Sequence, residues 1–407
     1  MPQTAEHKRL AFRRRTTRRP PQQASRSGEG RASAPAGRMD LPFLLLTILL
    51  TVLGLVMLFS ASFPSAYYES GDPAYYFKRQ ALFALLGLGA MVFMSRVNYQ
   101  RLRGAGKLLL YLSLFLLVLV LIPGVGITKN RSTRWLGVDG VLTFQPSEIA
   151  KLAVIVYFAN SISKKKELMG TFHDGIRPYL LTLAVLSALM LLEPHLSGTI
   201  LIVGTGVVLM IVGGIDKRWA IGGIGSVAAA GFAYVKLVEA GIISYGADRI
   251  KMWKDPFIDA LDDGYQMCQS LIAIGSGGLT GVGLGKSRQK FLYLPEEHND
   301  FIFAVVCEEL GLIGAALVML VFALLILRGF WIALQARDRF GALLVVGIMT
   351  QIGLQTFLNI AVVTGFVPAT GISLPFFSYG GTALALQLFE MGIVLSVSRQ
   401  IPAPRGG

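Results

Sequence analysis

Between Leu294 and Phe303 the chain sets Glu296, Glu297, His298 and Asp300 side by side, just ahead of a long apolar run. Proton chemistry suits such a cluster. An Asp at the start of a helix lies near the positive end of the macrodipole, which favours its carboxylate, and a carboxylate can take a proton from an attacking hydroxyl. The same residues also read as helix caps, with Asn299 or Asp300 accepting from first-turn amides. Both readings stand at this level.

A second cluster is Phe144-Gln-Pro-Ser-Glu-Ile-Ala-Lys151, in which Glu148 and Lys151 lie three apart and share one helix face. The pair can line a polar cavity with Lys151 reaching a phosphate, or it can be a self-neutralising ion pair inside the membrane. Upstream, Arg131, Arg134 and Trp135 suit an anionic or sugar headgroup and equally suit interfacial anchoring. A third segment, Pro368 to Gly381, has no charged residue and contains Ser378, Gly380 and Gly381 ahead of another apolar run. Backbone amides there can cradle a pyrophosphate, or the segment can be a re-entrant turn that needs pliable backbone.

Weaker candidates follow. The stretch Asp248 to Asp263 is charged and reads mainly as solvated loop, with Arg249 and Lys251 favoured for an anionic substrate. Gly281-Val-Gly-Leu-Gly-Lys-Ser287 superficially resembles a nucleotide P-loop, but the position of that motif's first glycine is Thr280 and no strand precedes it. Glu308, Glu309 and Glu390 lie in apolar helices, where contacts with neighbouring helices explain them as well as a proton relay does. Two cysteines, Cys268 and Cys307, with four histidines match no disulfide framework and no zinc pattern, so no metal site is readable.

The elements that must position these groups are membrane helices. Of 407 residues, 53% are apolar and only 15% charged, with a mean hydropathy of +0.59 and a net charge of +14. A soluble fold of this length carries roughly a quarter charged residues, which excludes a soluble globular class. Ten apolar spans begin near Leu41, Phe77, Leu108, Ile149, Tyr179, Thr199, Ala220, Phe301, Phe340 and Thr382. The expected fold is therefore all-α and polytopic, with one large loop at 236–300 between the seventh and eighth spans, too long for a simple turn.

Residues 1–40 carry ten Lys/Arg and almost nothing apolar, which predicts a disordered basic tail; 400–407 form a short second tail. Without aromatic interleaving, the tail is a poor nucleic-acid binder and a good topology anchor or anionic-lipid contact. Leu41 to Ala61 is too long for a signal-peptide core and reads as a retained helix. The distribution of Lys/Arg over the loops predicts both termini in the cytoplasm and the chemistry-bearing loops outside.

Arg134-Trp-Leu136, the 144–151 motif, Tyr293 to Phe303, Glu308-Glu-Leu-Gly311 and Leu374-Pro-Phe-Phe-Ser-Tyr-Gly-Gly381 together resemble the SEDS (FtsW/RodA/SpoVE) family of peptidoglycan glycosyltransferases, in order over Leu41 to Arg399. The resemblance implies a GT-C-like membrane enzyme that polymerises lipid II outside the cytoplasmic membrane. Its implied partners are a class B penicillin-binding protein that crosslinks the strands and other division proteins. Asp300 matches the family's essential aspartate, Glu148 and Lys151 its cavity-lining polar pair, and Arg134 and Trp135 its outer-loop motif; His298, Ser378 and Gly380 lie in matching motifs.

Two departures stand out: His195 where the family usually has Asp, and Thr370 where some members have Lys. The implied chemistry has Asp300 deprotonating a GlcNAc 4-hydroxyl that displaces undecaprenyl pyrophosphate with inversion, with Mg²⁺ or Mn²⁺ as a candidate aid. A lipid II flippase and a non-catalytic division scaffold are the competing classes. The long basic tail favours the division or sporulation branch.

Overall fold

The computed structural model describes residues 37–129, 132–138, 142–165, 168–241, 247–262 and 264–401. The basic tail up to residue 36, the C-terminal tail from residue 402, Arg131, Asp263 and the Arg249 side chain lie outside the described residues.

Helices dominate. They run in chain order as α1 (Leu41–Ser70), α2 (Tyr75–Arg96), α3 (Leu102–Val120), α4 (Pro146–Lys164), α5 (Arg177–Leu192), α6 (Leu196–Val212), α7 (Lys217–Glu239), α8 (Ala247–Lys254), α9 (Tyr265–Gly277), α10 (Ile302–Gln335), α11 (Arg339–Val363) and α12 (Gly381–Ser398). Each of the ten apolar segments read from the sequence is helical. Among the described residues seven helices are long and apolar enough to cross a membrane, α1, α2, α3, α5, α10, α11 and α12. α6 has 17 residues, and α4 has the length but falls short in apolarity. For α4 the reason is its place: it is buried along nearly its whole length, so its polar groups face protein rather than lipid.

α11 and α12 also sit in the interior, with 72% and 67% of their apolar windows buried, against 28% for α2, α3 and α10. Close packing of α2 on α12 depends on small residues; a Cβ on Gly392 would come within 2.6 Å of the Met91 carbonyl.

The helix ends follow local chemistry. Asp40 caps α1, accepting from the Phe43 amide at 3.0 Å, and Asp338 caps α11, accepting from the Gly341 amide at 2.8 Å. Gly71, at φ 71°, closes α1 with its amide on the Tyr67 carbonyl at 2.9 Å. Long-range polar contacts gather one end of the bundle: Arg328 grips Asp40, Arg103 grips Asp338, and Arg339 donates to the Gly213 carbonyl. We refer to this as the basal end.

At the opposite end two connections are built up. Residues 127–144 form a small antiparallel sheet of β1 (Ile127–Lys129), β2 (Ser132–Val138) and β3 (Leu142–Phe144), which the all-α expectation did not foresee. The 236–300 connection holds α8 and α9 and then runs through turns to α10. α10 itself is broken at Gly311, whose φ of 67° and ψ of −173° are not helical. The released amides of Leu312 and Ile313 donate to the carbonyls of Gly278 and Leu279, at 2.9 and 3.1 Å, so the loop after α9 completes the broken helix.

Candidate active site

Pro146 at the first position of α4 presets the backbone for a helix start. Glu148 and Lys151 then project together, their Nζ and Oε1 2.8 Å apart. Lys151 also reaches Gln355 Oε1 on α11 at 3.5 Å, and Gln355 donates in turn to the Ser373 carbonyl at 3.0 Å. The two sequence readings of this pair are compatible, since the ion pair lines a cavity of about 1140 Å³.

The same cavity brings together Arg134, Trp135, His298, Asp300 and Gly380. α10 begins at Ile302 with Phe301 as its N-cap and no side-chain cap bond, so Asp300 does not cap the helix. Asn299 instead donates to the Glu296 carboxylate. No cation among the described residues lies within ion-pairing distance of Asp300. Burial, with the nearby Glu296 charge adding to it, pushes its carboxyl up to about 7, which His298 and its own amide only partly offset. A general base works best with a pKa near the operating pH.

The backbone around Asp300 is held from two sides. Its carbonyl accepts from Asn359 Nδ2 at 2.7 Å, and the same amide bonds the Ile372 carbonyl at 2.6 Å, tying α11, Asp300 and the 368–381 segment together. His298 stacks on Tyr76 of α2 at 4.5 Å between ring centroids, with Nδ1 3.3 Å from Glu297 Oε1.

Ser378 is the exception among the expected site residues. It does not line the cavity: its hydroxyl donates to the Asn299 carbonyl at 2.7 Å and accepts from the Leu374 amide at 2.7 Å. The Gly380 amide, expected to face an anion, donates to Gln80 Oε1 at 3.1 Å, while the Tyr379 amide donates to the His298 carbonyl at 2.9 Å. Bonding of these amides to Gln80 and His298 thus removes most of the foreseen cradle. What remains is the N-terminus of α12, where Gly381, Thr382 and Ala383 reach the cavity wall.

In the 248–263 stretch Lys251 is exposed and off the cavity, whereas Trp253 lines it and donates to the Gly365 carbonyl at 3.1 Å. Arg134 fastens the sheet to the α5–α6 corner through the carbonyls of Glu193 and Pro194.

At that corner His195 lines the cavity, and burial, then the charge of Arg134, push its ring down to about 3, so it is neutral. Its Nε2 lies 3.1 Å from Gln145 Nε2 and 3.2 Å from Ser147 Oγ. Glu193 is buried with neither carboxyl oxygen hydrogen-bonded among the described residues, and burial pushes it up to about 8 against the pull of Arg134.

Sequence reading missed Arg79 and Tyr76, which line the cavity, and Gln80, which clamps the 378–380 backbone through both ends of its amide. The signal was an ionisable group just inside the second span, a position that is by default functional. Among the described residues no three of His, Cys, Asp or Glu gather as a cation cage. Positive charge in the cavity comes from Lys151, Arg134 and Arg79.

The fold and this cavity define a polytopic membrane protein with an uncompensated carboxylate at one end of its bundle. The chain belongs to the cell cycle protein family FTSW_RODA_SPOVE, which it matches over residues 40–402. It is 44% identical to the Stage V sporulation protein E of Bacillus subtilis over 88% of this chain and 97% of that protein. It is 40% identical to a probable peptidoglycan glycosyltransferase FtsW of Geobacter metallireducens over 89% of this chain and 96% of that one. Among solved structures, a chain from a peptidoglycan synthase complex that coordinates polymerization and crosslinking superimposes with a TM-score of 0.73, at 28% identity over 89% of this chain and 98% of that one. The rod shape determining protein RodA of Thermus thermophilus gives 0.65 at 28% identity, covering 89% and 97%.

Proposed function

We propose that this protein is a peptidoglycan glycosyltransferase that polymerises lipid II on the outer face of the cytoplasmic membrane, during cell division or sporulation. The observation that carries the reading is Asp300, a carboxylate without a cationic partner, pushed up to about 7, in the wall of a large polar cavity. The names of the relatives support the reaction class and the division or sporulation setting.

In the reaction, Asp300 accepts the proton of an acceptor GlcNAc 4-hydroxyl as that oxygen bonds to the anomeric carbon of a lipid-linked donor. The bond from that carbon to the pyrophosphate oxygen breaks, undecaprenyl pyrophosphate leaves with the electron pair, and the anomeric centre inverts. Developing charge on the leaving group meets Lys151, Arg134, Arg79 and the start of α12. His298 and Trp135 supply flat faces for the sugars and Glu148 holds Lys151 in place. Ser378 acts from behind the wall, fixing the segment that faces Asp300.

The excess of cations on the loops at the basal end supports cytoplasmic termini and a cavity that opens outside. The synthase-complex relative supports a class B penicillin-binding protein as partner, alongside other division proteins. The test is incubation of purified protein with labelled lipid II, with and without its cognate penicillin-binding protein. Wild type forms glycan chains and Asp300→Asn forms none. Movement of lipid II between liposome leaflets without chain formation would favour the flippase, neither movement nor chains would leave a scaffold, and full activity of Asp300→Asn would remove Asp300 as the base.

A further inference from the structure

A second cavity, of about 390 Å³, lies at the basal end, between the residues ahead of α1 and the last turns of α2 and α12. Arg38, Arg96 and Arg399 line it together with Leu44, Met91 and Leu395. Three other arginines at this end are answered: Arg328 pairs with Asp40 at 2.8 Å, Arg103 with Asp338 at 2.6 Å, and Arg339 donates to the Gly213 carbonyl, whereas Arg101 is exposed and lies off the cavity. The three around the cavity have no ion pair or side-chain hydrogen bond among the described residues.

The charge balance points one way. α2 and α12 both end here, and each C-terminus presents about half a negative charge. Three full positive charges exceed that by about two, so the cavity is a net anion site. Apart from Ser95 its remaining wall is apolar, and α1 and α2 carry exposed apolar side chains nearby, including Leu41, Leu45, Val92 and Phe93. A phosphate at the arginines with acyl chains along those helices satisfies both halves of the site. A basic pocket between transmembrane helices at a membrane surface is suited to lipid headgroups.

We propose that this cavity binds the phosphate headgroup of an anionic phospholipid from the leaflet at the basal end. The test uses the full-length protein in phosphatidylcholine micelles, titrated with short-chain phosphatidylglycerol, more phosphatidylcholine, or inorganic phosphate, and reads the thermal unfolding midpoint. Phosphatidylglycerol should raise the midpoint saturably and phosphatidylcholine should not. Each of Arg38→Gln, Arg96→Gln and Arg399→Gln should weaken the apparent affinity about fivefold.

Arg101→Gln and Lys107→Gln change exposed cations at the same end but outside the cavity, and should leave the affinity unchanged. The nine Lys/Arg of residues 1–36 are common to all these variants, so their contribution cancels in the comparison. Arg96→Lys keeps the charge and should keep most of the response, which separates loss of binding from loss of folding. An equal effect of the control variants would reduce the site to general surface charge and overturn the proposal. An equal shift with inorganic phosphate would overturn it too, because the site would then hold a small anion without regard to lipid.

Discussion

Asp300 and the Glu308–Glu309 pair lie within ten residues of one another around the start of α10, yet their surroundings are opposite. Glu309 is fully enclosed and pairs with Lys290 at 2.8 Å, with Ser60 donating to it and the Ser287 amide at 3.3 Å. Glu308 accepts from the Ser287 hydroxyl and from the Arg288 amide at 2.9 Å. The glycine-rich loop that superficially resembles a phosphate binder thus spends its donors internally, the amides of Gly281, Val282, Gly283 and Lys286 on backbone carbonyls and Ser287 on the two carboxylates. Asp300 has no such company and faces a cavity. Satisfied carboxylates hold the fold, whereas an unsatisfied one in a cavity keeps its proton affinity available for chemistry.

The largest consequence concerns activity. Asp300→Asn keeps the shape and removes the base, so polymerisation should fall by about 10² to 10⁴-fold in the lipid II assay. The same substitution should make the protein more resistant to heat. The carboxyl has a folded value of about 7 against an ordinary 3.8, so ionising it opposes folding. That penalty is absent below the unfolded value, grows as pH rises and is complete above about 7. The gain in melting temperature of Asp300→Asn over wild type should therefore vanish near pH 4 and be greatest above pH 7. A loss of stability at pH 8 would place Asp300 among the structural carboxylates instead.

Wild-type activity gives an independent check on the same group. The base form is the ionised one, so kcat/KM should fall about tenfold per pH unit below about 7 and level off above it. A flat profile from pH 5 to 8 would assign proton removal to another group.

Glu309→Gln should behave in the opposite way, leaving Lys290 enclosed and uncompensated at a cost of about 3–5 kcal/mol. Pairing it with Lys290→Met should cost less than the two single changes added, because the stranded charge goes with its partner. Additive losses in denaturant or thermal unfolding would show that the two residues act independently. Gly311→Ala belongs to the same structural region. Its φ of 67° is left-handed, and a Cβ would meet the Gly281 amide nitrogen at 2.3 Å, a backbone atom that cannot give way.

The contrast between these carboxylates was only partly legible in the sequence. Apolar runs placed all ten long helices, because the length and apolarity of a run are local properties. The Asp300 motif was legible as chemistry, but cap and base could not be separated, since capping depends on backbone geometry that here puts Phe301 at the helix start. The break at Gly311 is set by the loop after α9 and leaves no local mark. Gln80 works on a segment 298 residues away, so neither its own neighbourhood nor that of Ser378 and Gly380 announced that their polar groups were taken. Arg79 is readable in the sequence, as a cation inside an apolar span.

The smallest effect sharpens the contrast most, because it uses a second glycine of nearly the same conformation. Gly371 has φ 70°, so alanine there costs about 1 to 2 kcal/mol of backbone strain, as at Gly311. Its surroundings differ: the nearest atom to an added Cβ is Asp300 Oδ2 at 3.7 Å, an ordinary contact that displaces nothing. Gly371→Ala should therefore fold and melt slightly below wild type, while Gly311→Ala loses the loop contact altogether. The added methyl takes solvent from the open side of the Asp300 carboxyl, which favours the neutral acid and raises its pKa further. The acid limb of the pH profile should accordingly move to higher pH with little change in the plateau. A lowered plateau at an unmoved limb would mean that alanine has shifted the 368–381 segment as a whole, and that Gly371 serves the wall of the cavity rather than the titration of Asp300.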